Sequence, residues 1–319
     1  MKSTLCIGLT PALQELREFK SFQLGEVNRS PAIHRSVAGK GPNVARVLRQ
    51  LGGQPLLLGF VGGETGKFIT KNLRRESVPE KLIRTNQPTR ICTTIFDHAT
   101  GTITELVEEA QLPARAAWQQ FFRVLDQSLA HARYAVIAGA LMPGAAPEIY
   151  RDIARRGVPV IIDSQRAPLL GVLEFRPLIA KLNVHELENT LAPLRAGRGQ
   201  KFRTEKQILA GAQKLISAGA QNVVVTHGAA GAWLVTGNAV YHYRPPKLKA
   251  VNPIGSGDAV TAGICRQLEQ GKAMPEAVRY GVACGAANAL TLIAGTVRMS
   301  NVKRLVLEVK VQQKSVTSV

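Results

Sequence analysis

Short apolar runs alternating with helix-patterned stretches constrain this chain most. Residues 134–138, 158–163 and 222–226 are rich in Val, Ile and Ala and end in small or polar groups. Runs of this kind suit strands buried on both faces of a parallel sheet. Between the last two, Ile208, Leu209, Ala212, Leu215 and Ile216 recur at helical spacing within 204–218. The alternation predicts βαβ units in a doubly wound α/β sheet, with functional groups at the strands' C-terminal ends. At 319 residues the chain can form one large domain or two smaller ones. It carries no fixed-period repeat and no low-complexity linker.

Two regions break the rhythm. Residues from about 15–37 and 90–108 show strand-like alternation without crossover helices, and the second reads as a hairpin turning near Ala99-Thr100-Gly101. Together they predict a small sheet standing off the main one, where a lid or a dimer contact would sit. The tail after about Lys310 is expected to fray.

Lys plus Arg number 41 against 22 Asp plus Glu, a net charge of +19 that favours phosphorylated metabolites, nucleotides or nucleic acid as partners. The basic residues are dispersed, however. Their densest patch, 195–203, has no interleaved aromatic platform, so a solvated basic surface is favoured over a nucleic-acid site. No apolar run reaches the length of a membrane span, and residues 1–10 read as a first buried strand rather than a secretory signal. The expected location is the cytoplasm. Cys6, Cys92, Cys265 and Cys284 are scattered and predicted to be reduced core residues, with no zinc-like spacing.

Two glycine turns carry the chemistry. In Gly255-Ser256-Gly257-Asp258 the glycines let the backbone approach a ligand, and the turn's amides join a helix's unpaired first N–H groups to form an anion site. Asp258 there suits phosphoryl transfer: amides hold the charge on the moving group while the carboxylate takes a proton from an attacking hydroxyl. Taken alone, the turn equally suits an ordinary helix start. In Gly39-Lys40-Gly41-Pro42-Asn43, a lysine is poised at a second helix N-terminus, and Asn43 could simply cap that helix. The spacing is not that of a Walker A loop.

Together these stretches resemble the ribokinase-like (PfkB) family of carbohydrate kinases, most strongly its 1-phosphofructokinase and tagatose-6-phosphate kinase branch. Leu9-Thr10-Pro11-Ala12, Gly25-Glu26-Val27-Asn28, Thr89-Arg90-Ile91, Lys181-Leu182-Asn183-Val184-His185-Glu186 and Gly228-Ala229-Ala230-Gly231-Ala232 extend the resemblance over nearly the whole chain. It implies one αβα sandwich over 1–319 with a mostly parallel sheet and a small β lid, often shared in a homodimer. The implied reaction is ATP-dependent phosphorylation of a hydroxyl on a phosphorylated ketohexose, with Mg²⁺. By position Asp258 is the base, and the amides from Gly255 through Ser256 and Gly257 to Asp258 form the anion hole. Lys40 and Arg90 grip the substrate phosphate, while Gly39, Gly41, Asn43 and Gln14 face the sugar. Asn183 and Glu186 organise Mg²⁺ through water, and Lys181, Thr226, Gly228 and Asn288 line the nucleotide pocket.

Blander roles compete. Glu186 could be a first-turn helix carboxylate, Asn288 a packing residue, Arg90 a member of an exposed ladder. Glu108 and Glu109 suit a solvated turn, and His227 is given no role. The substrate side departs from the family: Gln14 stands where that branch usually has an aspartate, Cys92 replaces a polar Asn, and Ala138 and Ala140 replace serines. Asn252-Pro253 replaces a polar pair, and Leu182 replaces a proline. The expectation is an active kinase with a shifted or relaxed sugar preference. The alternatives are a kinase of a non-phosphorylated sugar or nucleoside, and a non-catalytic ligand- or nucleic-acid-binding protein on the same fold.

Overall fold

A computed structural model describes residues 2–192 and 201–315. The chain begins with β1 (Ser3–Gly8), β2 (Ala12–Phe19), β3 (Ala32–Ala38), α1 (Lys40–Gln50), β4 (Pro55–Gly62) and α2 (Gly63–Arg75). Next come β5 (Glu80–Thr85), β6 (Ile91–Asp97), β7 (Thr102–Val107), α3 (Arg115–Leu129), β8 (Ala132–Ala138) and α4 (Glu148–Ala154). The middle holds β9 (Val160–Asp163), α5 (Arg166–Leu170), β10 (Ile179–Asn183), α6 (Val184–Leu191), α7 (Glu205–Ser217) and β11 (Asn222–Thr226). The chain continues with β12 (Ala232–Thr236), β13 (Ala239–Arg244), α8 (Ser256–Glu269), α9 (Met274–Ala289), α10 (Met299–Glu308) and β14 (Lys310–Ser315).

Ten of the strands form one sheet in the order β14-β13-β12-β11-β10-β9-β8-β1-β4-β5. From β5 to β11 every pairing is parallel, and β12 to β14 continue it as antiparallel strands. The expected runs appear as β8, β9 and β11, and the helix expected over 204–218 is α7, opened by a capping box between Thr204 and Gln207.

Alternate strand residues feed two cores. Cys6 of β1 joins the layer built on α1, α2, α8, α9 and α10, whereas Leu5 and Ile7 join the layer built on α3, α4 and α7. That alternation places helices on both faces, giving an αβα sandwich. The strand order reverses beside β1, and a crevice at such a switch point, outside the strands' C-terminal ends, is where an open α/β sheet places its ligands.

A separate four-stranded sheet, β3-β2-β6-β7, is the predicted lid. Its bounds are slightly wider than expected: β2 begins at Ala12 and β3 runs to Ala38. One expectation is corrected. The tail after Lys310 does not fray at once, because residues through Ser315 pair antiparallel with β13, and those ladder bonds satisfy the backbone. The basic patch at 195–203 falls largely outside the described residues. All four cysteines are buried free thiols, and burial pushes Cys6, Cys265 and Cys284 well above the usual thiol range. No helix among the described residues is long and apolar enough to cross a membrane.

Candidate active site

Asp258 lies in the first turn of α8, whose N-cap, Gly255, has φ 80°. A side chain there would be strained, and its Cβ would sit 2.6 Å from the Gly295 nitrogen. The turn brings Asp258 into a site where it is only 6% exposed. Asn43 Nδ2 donates to Asp258 Oδ2 at 2.8 Å, so the two glycine signatures meet at this bond. Burial raises the Asp258 pKa first and the neighbouring Asp163 charge raises it further, while Lys40, Lys181 and the Asn43 bond oppose them; the result is about 6.

Asp163 is the central residue that the sequence reading did not single out. It ends β9, is fully buried, and receives Lys40 Nζ on Oδ1 at 2.7 Å and Lys181 Nζ on Oδ2 at 2.8 Å. Thr261 Oγ1, one turn beyond Asp258, also donates to Oδ2 at 2.9 Å. Burial alone would raise the Asp163 pKa, but the two lysines outweigh it and hold the carboxyl well below the usual range. Its signal in sequence was faint: one charged residue closing an apolar strand.

Lys40 also donates to Glu186 Oε1 at 2.7 Å. Burial works against its charge, yet Asp163, Glu186 and Asp258 together raise its pKa. Glu186 completes a capping box at the start of α6: its Oε2 accepts the Asn183 backbone N–H, and Asn183 Oδ1 accepts the Glu186 N–H. Glu186 therefore both caps the helix and pairs with Lys40. Lys181 reaches toward the 255–258 turn, since a Cβ on Gly257 would meet Lys181 Nζ at 2.7 Å.

The structure thus gathers Lys40, Asn43, Lys181, Glu186 and the 255–258 turn around Asp163 and Asp258. It gives Lys40 and Arg90 separate partners. Arg90 donates to the backbone oxygens of Glu108 and Thr10 at 3.0 and 2.9 Å, bridging two links between lid and body. Arg90 Nε is buried without a partner. Gln14, on the lid, donates to Thr94 Oγ1 at 2.5 Å. Gly39 is the N-cap of α1, and Gly41 packs in its first turn. Thr226 Oγ1 donates to Leu182 O at 3.4 Å, and Gly228 opens a short 3₁₀ turn after β11. Asn288 is fully buried behind the 255–258 turn, donating to Ile254 O and Ser256 Oγ and accepting from the Thr296 N–H.

The model of the pfkB family of carbohydrate kinases matches residues 1–297. The 1-phosphofructokinase of Bacillus subtilis is 31% identical over 309 residues, covering 96% of this chain and 98% of that protein. Among solved structures, a phosphofructokinase-2 mutant from Escherichia coli superposes with TM-score 0.87 at 24% identity, over 97% of this chain and 99% of its own. Ribokinase from Thermotoga maritima gives 0.77 at 21% identity, over 97% and 100%. At those identities the structures establish a shared fold.

Proposed function

The chain belongs to the pfkB family of carbohydrate kinases and has the ribokinase-like fold, and from that premise we propose that it transfers the γ-phosphoryl group of ATP to a hydroxyl of a phosphorylated ketohexose, as a 1-phosphofructokinase does. The supporting observation is the Asp258–Asn43 bond set at the mouth of the Gly255–Asp258 turn beside the buried Lys181 and the partly exposed Lys40. The substrate hydroxyl oxygen attacks the γ-phosphorus as Asp258 takes its proton. The bond from that phosphorus to the β–γ bridging oxygen breaks, and ADP leaves. Amides of the turn meet the charge spread over the transferred group.

Lys40 belongs in this reading to the transfer end, where its ammonium is a point charge beside Asp163 and Asp258. Arg90 is left to the substrate phosphate. Its unpaired Nε and its place where lid meets body suit an anion arriving under the lid. That assignment favours a sugar phosphate over a neutral sugar or nucleoside.

No three His, Cys, Asp or Glu side chains cluster to hold a metal directly among the described residues. The Asn183–Glu186 pair fits the gentler task of holding an ion's waters, since Mg²⁺ keeps several waters and both Glu186 oxygens are already engaged. Bound there with the nucleotide, Mg²⁺ would neutralise charge on the phosphates.

The lid also suits a second copy of this chain. Strand register puts Ile33 and Leu106 on one face of its sheet, 44% and 55% exposed, with Leu24 and Val27 still more exposed in the β2–β3 loop. The decisive experiment is a Mg·ATP assay of the purified protein against a panel of sugars and sugar phosphates. Transfer to a phosphorylated ketohexose is expected; normal ATP binding with no acceptor turned over sinks the reading.

A further inference from the structure

Arg46 lies in the middle of α1 with a side chain only 3% exposed. A buried guanidinium is costly to hold unless its donors are all engaged. Here they are spent in three directions. Nε donates to Glu76 Oε2 at the end of α2 (2.6 Å), Nη1 to Ala294 O (3.3 Å) and Nη2 to Val37 O (2.9 Å). Val37 belongs to lid strand β3, two residues before Gly39. Ala294 belongs to the loop between α9 and α10.

That loop touches both glycine signatures, at Gly255 and at Asn43. A Cβ on Gly255 would meet the Gly295 nitrogen at 2.6 Å and Ala294 Cβ at 3.2 Å, so the 294–295 peptide backs the anion-hole glycine. A Cβ on Gly295 would meet Asn43 Oδ1 at 2.6 Å, and Asn43 holds Asp258. The same loop is pinned further along, where Val297 N–H donates to Gln50 Oε1 and Asn288 accepts from Thr296. Among these restraints Arg46 also reaches the lid.

We infer that Arg46 is a positioning residue for phosphoryl transfer: it braces the 290–297 loop against Gly255 and Asn43 and ties that brace to lid strand β3. It touches neither ATP nor sugar in this scheme and acts through the turn and Asn43. The inference rests on the reading of the 255–258 turn as the transfer site.

The test replaces Arg46 with Lys, which keeps a charge facing Glu76 but lacks the planar fork that reaches both carbonyls. Small misplacements of a reacting geometry cost rate rather than affinity. Arg46→Lys should therefore lower kcat about ten- to a hundredfold, with ATP affinity by calorimetry and KM for the sugar phosphate within about threefold of wild type. Glu76→Gln loses the ion pair but leaves both carbonyl bonds; it should lower the melting temperature yet keep kcat within about twofold. If the two variants lose kcat equally, Arg46 is merely structural and the inference falls. Should Arg46→Lys not fold, Gly295→Ala disturbs the same brace from the other side, and full kcat in that variant overturns the proposal. Asp258→Asn separates the two levels. An active Asp258→Asn enzyme removes the underlying reading, whereas an inactive one beside a fully active Arg46→Lys enzyme removes this inference alone.

Discussion

The carboxylate centre and the lid are built on opposite principles. At the centre, Asp163 and Asp258 are almost wholly buried, and four short bonds from Lys40, Lys181, Thr261 and Asn43 hold them. In the lid, Glu18 is shared by half-exposed His34 and His98, and apolar side chains face outward. A buried charged network tolerates few geometries, because each unpaired group pays its full desolvation cost. A half-exposed sheet tolerates many. Departures from the family pattern occur in both regions, at Gln14 and Cys92 in the lid strands and at Ala138, Leu182 and Asn252-Pro253 in the body, but the bonded side chains Lys40, Asn43 and Asp258 keep it.

The sharpest way to break this contrast is Asp258→Asn. The amide keeps the shape and can still meet Asn43, but it cannot take the proton. Turnover should fall about 10²–10⁴-fold, the usual contribution of a general base, while calorimetry shows ATP still bound. A loss below about tenfold would mean that the centre's burial serves something other than base catalysis.

The charges around Asp258 allow a finer test. Its carboxylate must be ionised to accept a proton, so kcat/KM should fall as pH drops through about 6. Asp163 raises that pKa and Lys40 lowers it. Asp163→Asn should therefore move the acidic limb to lower pH, and Lys40→Met should move it higher. Both should also cut kcat. Asp163→Asn costs stability too, on the order of 3–5 kcal/mol, since it strands Lys181 as a buried charge. Limbs that stay put in both variants would show that another group titrates.

The lid side should respond in KM instead. Arg90→Ala removes a cation from the junction of lid and body, and a lost charge-assisted bond is worth about 1.5–3 kcal/mol. KM for the sugar phosphate should rise roughly tenfold to a hundredfold, with KM for ATP little changed. Equal effects on both substrates would return Arg90 to a hinge clamp for Thr10 and Glu108.

What could be read in the sequence follows the same division. The sheet, α7 and the two glycine turns were legible because each is written locally, in strand-length apolar runs, helical spacing or a Gly-x-Gly. The lid hairpin was legible from its turn. Asp163 was not, because its meaning comes from Lys40 and Lys181, which reach it from β10 and from α1, 123 residues away along the chain for Lys40. Arg46 was hidden for the same reason: on a helical wheel it is one polar residue among inward-facing ones, and only the fold brings Val37 and Ala294 to it. Lys40 shows the limit most clearly. Its glycine turn placed it correctly at a helix start, but the direction of its amine depended on carboxylates from β9 and α6.

The smallest effect on chemistry should come from the lid's outer face. Leu106 is 55% exposed on the face it shares with Ile33, where a second copy of the chain would bury it. Leu106→Asp puts a charge into that contact, and a buried unpaired charge is strongly disfavoured. Sedimentation should show wild type as a dimer and Leu106→Asp shifted to monomer at the same concentration. The buried centre draws no bond from β7, so kcat should change by less than about threefold in the variant. A wild-type monomer would end the dimer proposal. A dimer lost together with most of kcat would end the contrast itself, because the lid would then hold the centre in place rather than merely cover it.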